Sequence, residues 1–233
     1  MTGAGGSFRL PSAVSSTPIP GCAPKTAFWL KRLHSLTGLV PLGGFILEHC
    51  YSNSAILRGP DAYAEVITGL WKIPYIALLE VGMIFVPIAF HMLLGLWMTW
   101  QGVWNYPQYR DQRNLFFVLQ RLSGLYLALF VVVHVLETRY SGIHEAAGFF
   151  PLMKKKMGDP LHFIFYLGGM GAISFHFANG IWLGLVRWGV AVGPRAQKLA
   201  GMACGGFGIV FFLVWLNILC GLLGHGLPFR LDT

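Results

Sequence analysis

Five long apolar segments run along the chain, separated by more polar stretches, at about 33–51, 74–100, 115–137, 161–189 and 199–224. At about 1.5 Å per residue, a helix of this length crosses a hydrocarbon layer about 30 Å thick. None of the segments has the two-residue alternation of a membrane β-strand. The pattern therefore predicts an all-α membrane protein whose five transmembrane helices form a bundle.

The composition agrees with a membrane environment. Hydrophobic residues make up 55% of the 233 positions and charged residues only 11%, whereas a soluble domain carries about 25% charged residues. The net charge is +8, and the basic residues that produce it lie beside apolar segments. This position favours the lipid bilayer over a nucleic acid as the partner of the basic residues. We expect an N-terminal cytoplasmic segment at 1–30, a transmembrane domain at 31–226 and a C-terminal tail at 227–233.

The distribution of basic residues predicts an orientation. With the N-terminus in the cytoplasm, ten of the 17 basic residues lie on the inner side. Because inner loops are enriched in Lys and Arg, this count favours a cytoplasmic N-terminus, although the run at 154–156 then lies outside. The two longer loops, at 52–73 and 138–160, also lie outside in this arrangement.

Four of the eight histidines lie well inside apolar segments, where an ionisable side chain is costly and points to function. They are His49, His91, His134 and His176. The separation is 85 residues from His49 to His134 and again 85 from His91 to His176. Residues 90–97 and 175–182 share the pattern F-H-x-x-x-G-[LI]-W, which indicates an internal two-helix repeat.

Depth sorts these histidines into two levels. Counted along the helices, His49 and His134 lie toward the outer side, and His91 and His176 lie toward the inner side. Two histidines at one depth on facing helices can hold a planar metal macrocycle from both sides, so two levels predict two stacked haems. Gly95 and Gly180, each four residues after a histidine, would let a flat ring approach the helix.

The same motifs carry a resemblance to a known family. They are R-L-H-S-L-T-G at 32–38, H-C at 49–50, A-F-H-M-L-L-G at 89–95, F-V-L-Q-R-L-S-G at 117–124, H-V-L-E-T-R at 134–139, F-H-F-A-N-G-I-W at 175–182 and P-R-A-Q-K at 194–198. The chain resembles the cytochrome b membrane subunit of succinate:quinone oxidoreductases, the succinate dehydrogenase and fumarate reductase family, in its form with five helices and two haems.

The resemblance implies cofactors, partners and a location. It implies two haem b, the outer one bound by His49 with His134 and the inner one by His91 with His176. It implies a flavoprotein subunit and an iron–sulfur subunit on the cytoplasmic side of a bacterial membrane, and menaquinone or menaquinol as the substrate. The chain would then anchor the two soluble subunits and pass electrons between the iron–sulfur subunit and the quinone.

Further residues are candidates for supporting roles, each with a simpler alternative. Arg121 and Lys31 could pair with haem propionates or only extend to lipid head groups. His34 and Ser35 could contact the inner haem or the iron–sulfur subunit, or form an interfacial polar cluster. Glu65 is our candidate for the acid or base at the quinone site, with a solvated loop glutamate as the alternative.

Two other functions remain open at this stage. The first is a di-haem cytochrome b of another membrane oxidoreductase, such as a hydrogenase or formate dehydrogenase. The second is a transporter or scaffold whose histidines bind protons or ions or bond between helices, and this reading predicts a colourless protein. The residues do not distinguish succinate oxidation from fumarate reduction.

Overall fold

The computed structural model describes residues 23–102, 106–108 and 110–226, and this part of the chain consists of helices and turns without a β-strand. Within these residues, four helices are long and apolar enough to cross a membrane: Ile76–Trp100, Gln112–Thr138, Pro160–Arg187 and Pro194–Leu222. They agree with the second to fifth segments predicted above. The prediction of an all-helical membrane bundle is confirmed. Residues 1–22 and 227–233, which include most of the predicted N-terminal segment and all of the predicted tail, lie outside the described residues.

The first predicted segment, 33–51, is divided between two consecutive helices, α1 (Pro24–Leu39) and α2 (Pro41–Ser54). Pro41 has no N–H, so the backbone bond that it would donate is missing and the helix is interrupted at Val40. The amides of Val40 and Gly44 still donate to carbonyls four residues earlier, at Leu36 and Val40. The two helices therefore follow each other closely, and neither alone has the length of a span.

The second span is also irregular. It comprises α4 (Ile76–Leu79), a π-helical turn (Glu80–Phe85) and α5 (Val86–Trp100). The buried Pro87 follows the wide turn directly. A proline ring removes one backbone bond and collides with the carbonyl four residues before it, which explains why the regular helix gives way there. Pro87 lies four residues, about one helical turn, before His91.

Two later helices begin at side-chain caps. The Asp111 carboxylate accepts a hydrogen bond of 2.9 Å from the amide of Asn114 and starts α6 (Gln112–Thr138). The Asp159 carboxylate accepts one of 2.8 Å from the amide of His162 and starts α8 (Pro160–Arg187). The last helix, α9 (Pro194–Leu222), begins at a proline. These caps start α6 and α8 at or slightly before the predicted positions.

Small residues bring the long helices together. A Cβ atom on Gly169 of α8 would collide with the ring of Phe130 on α6, and one on Gly208 of α9 would lie 2.9 Å from the Cβ atom of Ala178 on α8. Close backbone approach of this kind is the usual basis of helix packing in a membrane. As a result α8 packs between α6 and α9, while α1 packs against α5 and α8.

The predicted outer loops contain short helices that cover one end of the bundle. They are a 3-10 turn (Ala55–Arg58), α3 (Pro60–Trp71) and α7 (Phe149–Met157). Tyr63 of α3 packs edge-on against Phe150, and Trp71 packs against Phe149. The core at this end also contains Met157, which is almost fully buried.

Candidate functional site

The four intramembrane histidines meet in two pairs, one from each pair of facing helices. The rings of His49 on α2 and His134 on α6 have centres 5.9 Å apart and planes at 78°. The rings of His91 on α5 and His176 on α8 have centres 6.3 Å apart, also at 78°. The pairing is the one expected from depth along the sequence. Because Ser123, which contacts His176, precedes His134 by 11 residues of α6, the pairs lie about 17 Å apart along the helix.

Hydrogen bonds fix the tautomer of the inner pair. His91 Nδ1 lies 2.9 Å from the backbone oxygen of His34, and since a carbonyl oxygen only accepts, Nδ1 carries the proton. His176 Nδ1 lies 3.1 Å from the Ser123 hydroxyl, which donates its own proton to the backbone oxygen of Gln120 and therefore accepts from the histidine. In both rings this leaves the lone pair on Nε2, the nitrogen available to a metal.

His134 of the outer pair also carries its proton on Nδ1. Its Nδ1 lies 3.3 Å from the Tyr166 hydroxyl, and that hydroxyl donates to the Glu137 carboxylate at 3.0 Å. The hydroxyl has one proton, which Glu137 receives, so the oxygen accepts from His134. The lone pair of His134 is therefore again on Nε2.

His49 has a weaker and neutral neighbour. The Asn53 amide donates at 2.7 Å to the backbone oxygen of His49 and lies 3.4 Å from its Nδ1. The Tyr63 hydroxyl contacts the Asn53 side-chain oxygen at 3.3 Å. Burial raises the pKa of Tyr63 to about 12, so this hydroxyl stays protonated and is the donor. Helix α3 is thereby attached to α2 one turn after His49.

The separation within each pair fits a metal held between two imidazoles. An imidazole nitrogen lies about 2 Å from a metal that it binds, so two rings on opposite sides of one metal have centres about 6 Å apart. The observed 5.9 and 6.3 Å agree with this value. The residues present therefore fit a bis-histidine haem at both levels.

Unpaired donors beside the histidines also fit a bound group. Among the described residues, three buried side-chain nitrogens have no hydrogen-bond partner: His34 Nδ1, Arg121 Nε and Trp215 Nε1. The His34 ring stacks on His91 with centres 3.9 Å apart, and the Trp215 ring centre lies 5.9 Å from that of His49. Arg121 lies two residues before Ser123. Because buried donors are normally satisfied, the Arg121 and Trp215 donors left over at these levels suit an anionic or carbonyl-bearing ligand.

The predicted glycines have neighbours that the sequence did not reveal. A Cβ atom on Gly95 would lie 3.1 Å from the His34 ring, and one on Gly180 would lie 3.9 Å from the Gln120 amide. Thus side chains from α1 and α6 lie over both positions. His34 and Gln120 are 86 residues apart, one residue more than the two histidines of each repeated pair.

Two further glycines, which the sequence reasoning missed, touch the inner histidines directly. A Cβ atom on Gly38 would lie 2.5 Å from His91 Cε1, and one on Gly124 would lie 3.1 Å from His176 Cε1. Gly38 and Gly124 are also 86 residues apart, as are Thr37 and Ser123, which contact Nδ1 of the two histidines. This second offset is the signal that could have identified them.

The other predicted residues lie in the middle of α1 and in the third turn of α6. The Arg121 guanidinium stacks on Phe117, with Cζ 3.4 Å from the ring centre. The Lys31 backbone oxygen accepts a bond of 3.0 Å from Arg187 Nη1. Ser35 is half-buried next to His34. Their predicted contacts with haem propionates or with a partner subunit stay predictions.

Glu65 lies on α3, near the outer histidine pair but with an exposed side chain. Within the part of the chain that the structure describes, the acidic residue connected to an intramembrane histidine is instead Glu137, through Tyr166. Glu137 is also bonded to Lys156 and His162. The sequence alone does not show this connection, because Tyr166, which completes it, lies on another helix.

Comparison with known proteins identifies a similar membrane subunit. Over 173 residues, 74% of this chain, the sequence is 35% identical to the succinate dehydrogenase cytochrome b558 subunit of Bacillus subtilis (strain 168), of which 86% is covered. No protein-family model matches the chain.

Proposed function

The chain belongs to the family of the succinate dehydrogenase cytochrome b subunit, and from this premise we propose that it passes electrons through two haem b groups between an iron–sulfur subunit and menaquinone. As a member of this family it is the cytochrome b membrane subunit of a bacterial succinate dehydrogenase complex. The electron path, the number of haems and the quinone are the proposal.

The observation that most strongly supports two haems is the pairing of the four intramembrane histidines at 5.9 and 6.3 Å. When bound, haem b supplies one-electron chemistry at its iron. His49 and His134 would hold the outer group, His134 through Nε2, and His91 and His176 would hold the inner one through Nε2. Their Nδ1 contacts orient the rings, and the Arg121 guanidinium would donate to a propionate near the inner end.

The soluble partner subunits would bind at the inner end of the bundle, where the middle of α1 meets the end of α8. Arg32 lies between two aromatic rings there, 4.7 Å from the centre of Phe28 and 4.8 Å from that of Trp188. Arg187 is bonded to the adjacent backbone of Lys31. A cluster of fixed cations at this end supports docking of an iron–sulfur subunit that is joined to a flavoprotein, and supports a cytoplasmic N-terminus.

Menaquinone would react near the outer pair. Its two-electron chemistry takes up or releases two protons, so an acid or base is needed nearby. We keep Glu65 as the proposed group: its helix is attached to α2 through Tyr63 and Asn53, one turn from His49. An exposed carboxylate at that position has direct access to water as a proton source.

Haem counting in the purified complex tests the proposal. We expect a dithionite-reduced minus oxidised spectrum with two haem b per chain. Because each haem needs both of its histidines, His91→Ala should remove the inner one and His134→Ala the outer one. His144→Ala changes an exposed histidine outside the bundle and should keep both.

The partner complex is tested in the same preparation. Reduction of the haems by succinate, with a co-purified flavoprotein, agrees with the proposal; a hydrogenase or formate dehydrogenase complex would show neither. A folded complex without haem would contradict electron transfer through this chain. Loss of a haem in His144→Ala equal to that in His91→Ala would contradict the ligand assignment.

A further inference from the structure

The four paired histidines differ in what lies behind Nδ1. His91 contacts a backbone carbonyl, His176 a serine hydroxyl and His49 an asparagine amide, all of which are neutral. Of these four histidines, and within the part of the chain that the structure describes, only His134 is joined by hydrogen bonds to a charged group, through Tyr166 to Glu137. The two outer ligands are therefore not equivalent, although their positions in the repeat are.

Three helices build this connection. Tyr166, only 2% exposed, lies on α8 and bridges from His134 to Glu137, both on α6. The Glu137 carboxylate also lies 3.0 Å from Lys156 Nζ on α7 and 2.8 Å from His162 Nε2 on α8. Its side chain is 18% exposed. With three partners on two other helices, the carboxylate has little freedom to turn away from Tyr166.

The direction of the hydrogen bonds has a consequence for the ligand. A hydroxyl that donates to a carboxylate becomes a better acceptor, because hydrogen bonds in a chain polarise one another. Tyr166 thus draws more strongly on the Nδ1 proton of His134. A stronger pull on that proton makes the imidazole a more basic ligand, and this favours the ferric over the ferrous state of a bound iron.

We propose that Glu137 is a positioning residue that, through Tyr166, sets the orientation and electron-donating strength of His134 and so lowers the reduction potential of the outer haem. The proposal rests on the proposed function, since it assumes a haem between His49 and His134. Lys156 fixes the carboxylate in place. The inner haem, whose ligands contact neutral groups, is unaffected by Glu137.

The test compares the reduction potentials of the two haems in the whole complex. We expect Glu137→Gln and Tyr166→Phe each to raise the midpoint potential of the outer haem. For a one-electron couple, a tenfold change in the ratio of oxidised to reduced haem corresponds to a shift of about 59 mV. The inner haem should keep its potential in both variants. The component that disappears in His134→Ala identifies the outer haem.

The double variant Glu137→Gln/Tyr166→Phe tests whether the effect of Glu137 on the outer-haem potential passes through Tyr166. If it does, Glu137→Gln adds nothing once Tyr166→Phe is present, whereas independent effects would add. Glu137→Asp, which keeps the charge, should restore most of the wild-type potential. Glu80→Gln is the matched control, because Glu80 is a partly exposed carboxylate that pairs with Arg139 and not with Tyr166.

Each outcome is informative. An outer-haem potential in Glu137→Gln equal to that in Glu80→Gln, or additive shifts in the double variant, would overturn the proposal. If Glu137→Gln does not assemble, Tyr166→Phe, which removes only one hydroxyl, still tests whether the connection behind His134 lowers the outer-haem potential. A wild-type complex without two haems would instead contradict the proposed function and is seen before any variant is made.

Discussion

The position of single protons decides which nitrogen of each histidine faces a metal. In His91, His134 and His176 the partner of Nδ1 is an oxygen that must accept, so the proton is on Nδ1 and the lone pair is on Nε2. The partners are chemically different, namely a carbonyl, a phenol and a serine hydroxyl. What they share is that their own protons, where present, are already donated elsewhere.

A methyl group at Gly38 tests how closely α1 approaches the inner pair. In Gly38→Ala the new Cβ atom would lie 2.5 Å from His91 Cε1, so the ring or the helix must move. We expect loss of the inner haem or a destabilisation of about 1–3 kcal/mol. Haem content and thermal unfolding of the complex measure the two effects.

Gly44→Ala is the matched control for that substitution. Gly44 lies six residues further along, on α2, and a Cβ atom there meets nothing within 4 Å. It should keep both haems and be as stable as the wild type or more so, because alanine favours a helix by about 1 kcal/mol over glycine. Equal behaviour of the two variants would contradict the proposed contact between Gly38 and His91.

At the scale of elements, the two halves of the repeat differ by one residue. Thr37, Gly38 and their counterparts on α6 are 86 residues apart, but His49 and His134 are 85 apart. The extra residue of the first half lies between Gly38 and His49, the stretch that contains the interruption between α1 and α2 at Val40. The interruption lets both halves present a contact for the inner pair and a ligand for the outer pair, although their lengths differ.

The start of α8 depends on the cap at Asp159. In Asp159→Ala the amide of His162 loses its side-chain acceptor, and we expect the complex to lose about 1 kcal/mol of stability. Asp159→Asn should lose less, since asparagine also caps. Asp61→Ala is the control: Asp61 is acidic in the first turn of α3 but makes no capping bond. Thermal unfolding that is equally lowered in Asp61→Ala would count against the cap.

At the scale of the whole molecule, the two ends of the bundle differ in character. One end holds Arg32 of α1 and Arg187 at the end of α8, and the other is covered by α3 and α7. Lys156 belongs to the second end, where it pairs with Glu137. The predicted orientation puts the arginine end in the cytoplasm.

Reporter insertions test this orientation. An alkaline phosphatase that is active only outside the cytoplasm should be active when inserted after His144, in the segment between α6 and α7. It should be inactive when inserted after Gln108, in the segment between α5 and α6. Both residues are exposed, so insertion should leave the bundle intact. The reverse pattern of activity would show that the N-terminus lies outside.

The sequence by itself determined the elements and the histidine spacing. Apolar segments of spanning length have few alternatives in a bilayer, because every backbone polar group must be bonded within the segment. For this reason four spans agree with the predicted segments, and Pro41 explains the division of the first. Depth along straight helices likewise predicted which histidines share a level, since rise per residue is nearly constant.

Only the tertiary structure decided what surrounds the histidines. Tyr166 reaches His134 from another helix, and His34 covers Gly95 from α1. Such contacts depend on the rotation of each helix about its axis and on close approach at residues such as Gly169, neither of which the apolar pattern fixes. That is why Glu65 was the acid predicted from the sequence, whereas Glu137 is the acid that the packed helices connect to a histidine.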